Sequence, residues 1–176
     1  RLYFGASMAQ FAAMNMQMMA RAWFMYALTG SVIMLGLSAL SNAIPMLGLS
    51  LFGGVIADRV QKKYVMLGGQ IANLVIALGI GIAITLGTIH WAHLIVAGLL
   101  QGTVMGLMMP ARQAIIVEIV GREDLMNAVA LNSAGMNVNR LLAPAAAGIL
   151  IAVLGIQGVY YSMAGLYLVA TLFIAS

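Results

Sequence analysis

Long apolar stretches, separated by short turns rich in glycine or polar residues, make up most of this chain. They do not show the alternation over about ten positions that is typical of membrane β-strands. A helix needs about 20 mostly apolar residues to cross a bilayer, and the pattern predicts six such helices. Their ranges are 2–28, 32–57, 64–86, 91–109, 126–154 and 159–176. We therefore expect an all-α polytopic membrane protein, with six transmembrane helices in one bundle.

The connections between the predicted spans are short except for two, Asp58–Lys63 and Pro110–Leu125. The second is long enough for a short surface helix. The composition of residues 29–31, 87–88 and 155–158 predicts tight turns. We expect residues 1–176 to form a single domain, without a cleavable signal peptide. An arginine at the first position and the lack of a polar tail indicate a fragment of a longer protein.

The composition supports a membrane location and excludes several other classes. Hydrophobic residues make up 64% of the chain and charged residues only 7%, whereas soluble domains carry about 25% charged residues. Such a chain would leave a water-facing surface too apolar to stay dissolved. There is no cysteine, so disulfide, zinc-finger and thiol chemistry are excluded.

The basic residues lie almost entirely on one side of the predicted topology. That side carries six of them, Arg1, Arg59, Lys62, Lys63, Arg112 and Arg122, and the turns on the other side have no Lys or Arg. Because positive residues accumulate in cytoplasmic loops, we expect a cytoplasmic amino terminus. This placement also explains the net charge of +4 without a nucleic-acid partner.

One loop carries a recognisable pattern of small, acidic and basic residues. It follows G-x-x-A-D-R-x-x-[RK]-[RK] at Gly54, Ala57, Asp58, Arg59, Lys62 and Lys63, with Gln61 in place of the usual glycine. The loop thereby resembles the signature of the major facilitator superfamily, which controls conformational change in that family. Small residues let neighbouring helices approach closely, and the basic ones hold the loop at the anionic leaflet. The alternative is an ordinary cytoplasmic loop with an incidental acid.

The fifth predicted span carries a second resemblance. Residues 139–148 are similar to the antiporter motif G-x-x-x-G-P-x-x-G-G, and Pro144 and Gly148 match it. Other small residues, Asn139, Ala143 and Ala147, replace its glycines. Together with segments such as 110–114, this stretch resembles exporter-type members of the superfamily.

The resemblance implies the amino-terminal half of a transporter that moves a small molecule by alternating access, as an efflux permease in a bacterial inner membrane. Its partners would be the substrate, the lipid bilayer, the missing carboxy-terminal half and a coupling ion such as a proton. A non-transporting receptor or scaffold with this fold is the alternative, and an integral membrane enzyme is a more distant one.

One position departs from the proton-coupled members of the superfamily. Many of these carry an arginine three residues before a Gln-Gly pair, but here Gly98 stands before Gln101 and Gly102. No Asp or Glu lies inside a predicted span either. Coupling must therefore use the missing half, use Asp58 indirectly, or not involve protons.

Two polar stripes supply candidate residues for a cavity or substrate path. At 100° per residue, one face of the first helix collects Ser7, Gln10, Met14, Gln17 and Arg21, and one face of the fifth collects Ser133, Asn137, Arg140 and Pro144. The candidates are Gln10, Gln17, Arg21, Asn137 and Arg140. Hydrogen bonds between helices are the alternative role, and Arg21 could extend its charge to the interface.

Two histidines flank a tryptophan at the outer end of the fourth span. His90 and His93 have a metal-ligand spacing, but no third ligand is nearby. An interfacial aromatic belt with Trp91 is the preferred interpretation. Neither a phosphate-binding glycine loop nor a Ser-His-acid set is present. We therefore expect no metal, no cofactor and no enzyme activity.

Overall fold

The computed structural model describes residues 2–59, 61–120 and 125–175, and the side chains of residues 4–50, 61–113, 115, 126–127 and 129–175. These residues form helices and short connections, without a strand among them. The helices are α1 (Leu2–Thr29), α2 (Val32–Arg59), α3 (Lys62–Thr85), α4 (Trp91–Val120) and α5 (Leu125–Ala175). The predicted all-α class is confirmed.

Four of the helices are long and apolar enough to cross a membrane. The qualifying stretches are Val32–Ser50, Lys62–Thr85, Trp91–Gln113 and Val129–Ala175. The first helix is also long, with 28 residues, but it carries Gln10, Gln17 and Arg21 in its middle part. Amide and guanidinium groups lower the hydropathy of a helix, so α1 depends on its neighbours to bury its polar face.

The described chain has five helices instead of the predicted six, because the predicted fifth and sixth helices join across a break to form α5. The break is at Gly155, whose φ of 74° and ψ of 176° are not helical. Only glycine adopts such a conformation without strain. The predicted count of six helices is therefore not confirmed.

Contacts with α1 establish the direction of the first segment of α5, residues 125–154. Gly135 lies beside Met8 of α1, and Gly148 lies beside Met19, whose methyl carbon is 3.6 Å from a Cβ built on Gly148. Positions therefore increase together along the two helices, and this segment runs parallel to α1.

The second segment of α5, residues 156–175, passes α1 in the opposite direction. Tyr167 contacts Gln17, while the later Phe173 lies beside the earlier Gly5, with its ring 3.2 Å from a Cβ built there. The chain thus reverses at Gly155. The predicted tight turn is found there, and the reversal is concentrated in one residue.

Two predicted loops are shorter in the structure than in the sequence analysis. The fourth helix continues through Pro110 to Val120, although a proline removes one hydrogen bond and crowds the carbonyl four residues earlier. Prolines are tolerated in membrane helices because neighbouring groups satisfy the freed carbonyl. Likewise α2 continues to Arg59 and α3 begins at Lys62, so both ends of the predicted Asp58–Lys63 loop are helical.

A glycine stripe on α4 brings this helix very close to α2. Gly98, Gly102 and Gly106 are spaced by four residues and face α2. A Cβ on Gly102 would collide with the carbonyl oxygen of Asn42 and would lie 2.8 Å from Cγ of Pro45. Glycine is the residue that permits such an approach between membrane helices, so the stripe determines the spacing of α2 and α4.

The buried core lies where α1, α3, α4 and the second segment of α5 meet. Its largest fully enclosed side chains include Met25, Leu94, Tyr160, Met163 and Tyr167. Every helix also carries exposed apolar side chains, for example Ile33 on α2, Val75 on α3 and Leu141 on α5. The polar residues of α1 therefore face the interior of the bundle.

Candidate functional site

The polar stripe on α1 is buried against the neighbouring helices. Ser7, Gln10, Gln17 and Arg21 are each at most 9% exposed, while Met14 at the edge of the stripe is 37% exposed. The polar members thus share one interior face, as the helical spacing predicts. The three longest of these side chains, Gln10, Gln17 and Arg21, each form a hydrogen bond with a residue of another helix.

Gln10 joins α1 to α4. Its Oε1 accepts a hydrogen bond from Nη2 of Arg112, and its Nε2 approaches Sδ of Met108 at 3.9 Å. The guanidinium of Arg112 also lies over the ring of Phe11, which is an attractive cation–π arrangement. The sequence analysis placed Arg112 in a cytoplasmic loop. The structure corrects this, because Arg112 is a buried residue of α4.

Gln17 joins α1 to the second segment of α5. The hydroxyl of Tyr167 donates to its Oε1 at 3.1 Å. Its Nε2 is enclosed and has no hydrogen-bond partner among the described residues. Burying an amide without a partner costs free energy, so this donor is an unsatisfied group in the interior of the bundle.

Arg21 joins α1 to the middle of α4. Its Nη1 donates to Oε1 of Gln101 at 3.3 Å, across a separation of 80 residues in sequence. The same nitrogen lies 3.0 Å from a Cβ built on Gly98. Two features that the sequence analysis treated separately, the buried arginine of α1 and the Gly98 departure in α4, are therefore adjacent in space.

The second polar stripe lies on the surface of the described bundle. Ser133, Asn137 and Arg140 are exposed, and Pro144 is half-buried. The structure thus does not bring Asn137 or Arg140 together with the buried residues of α1. They lie on the first segment of α5, at the surface of the described bundle.

Small residues of the antiporter-like motif form the contact between α5 and α1. Ala143 and Ala147 are buried, at 4% and 0% exposure, and Gly148 lies against Met19. The amide of Asn139 donates to the carbonyl of Gly135 at 3.1 Å. Alanine here has the role of a small residue between close helices.

The signature residues around the α2–α3 connection are described only in part. Gly54, Ala57, Asp58 and Arg59 belong to α2, and their side chains lie outside the described part of the structure. Lys62 opens α3, and Nζ of Lys63 donates to the carbonyl oxygen of Ala175 at 3.0 Å. The start of α3 is therefore held beside the end of α5.

Sequence reasoning missed a fully buried amide on α3. Gln70 is 0% exposed, and neither its Nε2 nor its Oε1 has a hydrogen-bond partner among the described residues. Asn73, one turn later, is also buried. The sequence does show single amides in an otherwise apolar span. They could have indicated this buried position, because polar side chains in membrane helices turn towards the protein interior.

The two histidines cap the amino-terminal end of α4. The backbone N–H of His90 donates to Nδ1 of His93 at 3.0 Å, and that of Ala92 donates to Nδ1 of His90 at 3.4 Å. Each ring thus satisfies a backbone donor at the start of a helix. Among the described residues, no group of three or more His, Cys, Asp or Glu side chains is arranged to hold a metal.

Apolar helices of membrane-spanning length, joined by buried side-chain hydrogen bonds, define a multi-pass membrane protein. Residues 1–175 match the model of a major facilitator superfamily family described as transmembrane secretion effector, and the chain belongs to that family. The suspected membership of the superfamily is confirmed, and the match indicates a transporter family rather than an enzyme.

Two curated bacterial proteins are similar to this chain. The staphyloferrin A transporter of Staphylococcus aureus (strain NCTC 8325 / PS 47) is 25% identical over 173 residues, covering 98% of this chain and 44% of the relative. The uncharacterized MFS-type transporter YfiS of Bacillus subtilis (strain 168) is 25% identical over 142 residues, covering 81% and 33%. The chain spans less than half the length of these relatives.

Proposed function

We propose that this chain is the amino-terminal, six-helix half of a secondary active transporter that exports a small molecule by alternating access. The observation that carries the proposal is the family match over residues 1–175, together with relatives that are named as transporters. The description of the family as a secretion effector supports export.

The reversal at Gly155 supports six membrane crossings. If the two segments of α5 cross separately, the chain has six crossings in alternating directions, and both ends lie on the same side. The basic residues between α2 and α3 lie on that side too, which supports a cytoplasmic amino terminus by the positive-inside rule. Both relatives come from bacteria, which supports a bacterial cell membrane, the inner one where there are two.

Exposed polar residues on the membrane-spanning part of α5 support a second half as the partner of this bundle. Asn137 and Arg140 are exposed on α5, and apolar side chains such as Ile33 and Leu47 are exposed on α2. In transporters built from two bundles, the substrate binds between the halves near the bilayer midplane. We place Asn137 and Arg140 on that central path, where a charged side chain can remain hydrated or meet the substrate.

The signature residues of the α2–α3 region act in this proposal as the conformational motif. They are Gly54, Ala57, Asp58, Arg59, Lys62 and Lys63. No Asp or Glu lies in residues 2–57 or 62–113. If protons are the coupling ion, the second half supplies the carrier or Asp58 acts indirectly.

Flux through proteoliposomes that contain the full-length transporter tests this function. The name of one relative makes staphyloferrin A the first candidate substrate. We expect saturable uptake into inside-out vesicles that depends on an ion gradient, and a strong loss of flux in Asp58→Asn with normal insertion. Specific binding without flux under any gradient would contradict transport and favour the receptor alternative.

A further inference from the structure

The guanidinium of Arg21 occupies the space that Gly98 leaves open on α4. A Cβ at Gly98 would lie 3.0 Å from Nη1 of Arg21, and it would collide with Oγ of Ser41 on α2. The same Nη1 is anchored by Oε1 of Gln101, one turn further along α4. Three helices therefore converge on one positive charge, and a side chain at position 98 would press against it.

The acids on the two adjoining helices are too far away to neutralise this charge. On α4, Glu118 lies 17 positions (118 − 101) beyond Gln101. On α2, Asp58 lies 17 positions (58 − 41) beyond Ser41. At 1.5 Å per residue, each is about 25 Å further along its helix. A carboxylate side chain bridges only a few ångströms of that distance.

The remaining two acids of the chain, Glu123 and Asp124, precede α5. Gly135 lies ten residues after the start of α5 at Leu125, and it lies beside Met8 of α1. Arg21 is 13 positions (21 − 8) beyond Met8, or about 20 Å along α1. None of the four acids is among the residues whose side chains the structure describes, so no described carboxylate lies beside this guanidinium, which stays charged in proteins.

Most of the hydrogen-bonding capacity of Arg21 is unused. A guanidinium has five N–H donors, and the described structure gives Arg21 one hydrogen bond, to a neutral amide oxygen. The enclosed atoms without a partner belong to Gln17 and Gln70, and no nitrogen of Arg21 is among them. Nε and Nη2 of Arg21 therefore keep some accessible surface, although the side chain as a whole is only 9% exposed.

We propose that Arg21, oriented by Gln101 within the gap at Gly98, is a binding subsite for an oxyanion group of the substrate. A planar guanidinium recognises a carboxylate or phosphate through two parallel hydrogen bonds. Such a ligand would neutralise a charge that is costly within the bilayer. The inference rests on the proposed function in one respect, because it treats the bound anion as part of the transported molecule.

Titration calorimetry of the purified full-length protein tests the subsite without requiring transport. Citrate and inorganic phosphate are the probes, each at constant ionic strength in chloride. We expect at least one of them to bind the parent protein. Arg21→Gln should weaken that binding about ten-fold or more, because it removes a charge-assisted, bidentate contact. Preference for citrate or for phosphate then identifies the oxyanion as carboxylate or phosphate.

Two matched controls separate a local effect from a general one. Gly98→Ala keeps every charge but places a methyl group against the guanidinium and Ser41, so it should also weaken binding. Gly36→Ala changes a glycine of α2 that has nothing within 4 Å of a built Cβ, so it should bind like the parent. Arg122→Gln removes one positive charge outside the membrane spans and should leave the affinity unchanged.

Three results would overturn the subsite: no binding of either anion by the parent, equal binding by Arg21→Gln, or equal binding by Gly98→Ala and the parent. The second would also show that the charge of Arg21 is balanced from elsewhere, such as an acid of the second half. If Arg21→Gln does not fold, the anion affinities of Gly98→Ala and Gly36→Ala can still be compared, and this comparison tests the subsite.

Failure of the subsite and failure of the proposed function give different results. Binding that depends on Arg21 in a protein without flux would refute transport and retain the subsite. Flux of a substrate at the parental rate by a folded Arg21→Gln variant would retain transport and refute the subsite.

Discussion

The guanidinium carbon of Arg112 on α4 lies 4.5 Å from the centroid of the Phe11 ring on α1. Arg112 also donates a hydrogen bond to Gln10, the residue before Phe11. A guanidinium can stack through its flat face and donate through its edge at the same time, which a lysine ammonium cannot reproduce. The pair therefore connects α1 and α4 through both polar and apolar atoms.

Replacing Phe11 by Leu should destabilise the protein by about 1–3 kcal/mol, because the ring face under Arg112 is lost. In an Arg112→Lys background the same replacement should cost less, since the stacking is already weakened. The difference, about 0.5–2 kcal/mol, is the coupling free energy. Thermal unfolding in detergent, followed by circular dichroism, measures it. Equal costs in the two backgrounds would show that Phe11 is only an apolar filler.

Gly102→Ala should separate α2 from α4. The added methyl group meets the carbonyl of Asn42 and the ring of Pro45, and backbone and proline atoms cannot move aside. Overpacking of this kind costs about 1–3 kcal/mol. Gly79→Ala on α3 is the control, because nothing lies within 4 Å of a Cβ built there. Size-exclusion chromatography of both variants provides the measurement, and we expect only Gly102→Ala to give an altered profile. A normal profile for Gly102→Ala would contradict the close packing of α2 and α4.

Single cysteines can establish the orientation, because the native chain has none. We expect an impermeant thiol reagent to label Ser31→Cys, Thr88→Cys and Gln157→Cys in intact cells. Gln61→Cys and Gln113→Cys should react only after permeabilisation. Position 157 is preferred to 158, since a side chain on Gly158 would collide with Leu154. Labelling of Gln61→Cys from outside would reverse the topology and remove the charge argument for it.

Arg140 should be required for transport and dispensable for insertion. Pro144 cannot donate to the carbonyl of Arg140, four residues earlier, so a freed carbonyl and a positive charge coincide on an exposed face. Arg140→Leu should insert at least as well as the parent, because a charge at mid-membrane costs about 2.5–3.5 kcal/mol on insertion scales, yet it should be inactive. Arg140→Lys keeps the charge but loses the planar fork, so it should insert and transport poorly.

Expression level and vesicle flux of both Arg140 variants, made in the full-length transporter, provide the measurement. Parental flux in Arg140→Leu would show that the charge is merely tolerated on this surface and would remove α5 from the proposed substrate path.

The all-α class and the positions of the turns could be predicted from the sequence. Long apolar runs specify helices in a bilayer because only a helix satisfies its own backbone there. Gly30 directly follows α1 and Gly87 follows α3, and both have a positive φ. The glycine in each of these segments indicates a turn. The family, too, could be recognised from a short loop around Asp58, because its spacing of small, acidic and basic residues is local.

Only the tertiary structure decided which polar residues meet. Arg21 and Gln101 are 80 positions apart, and the pattern around each shows no more than a polar group in an apolar span. The sequence also did not determine whether Pro110 ends α4 or lies inside it, because packing against other helices can compensate for one lost hydrogen bond. Hydropathy reports the environment that each residue prefers, whereas the pairing of distant side chains depends on how whole helices pack.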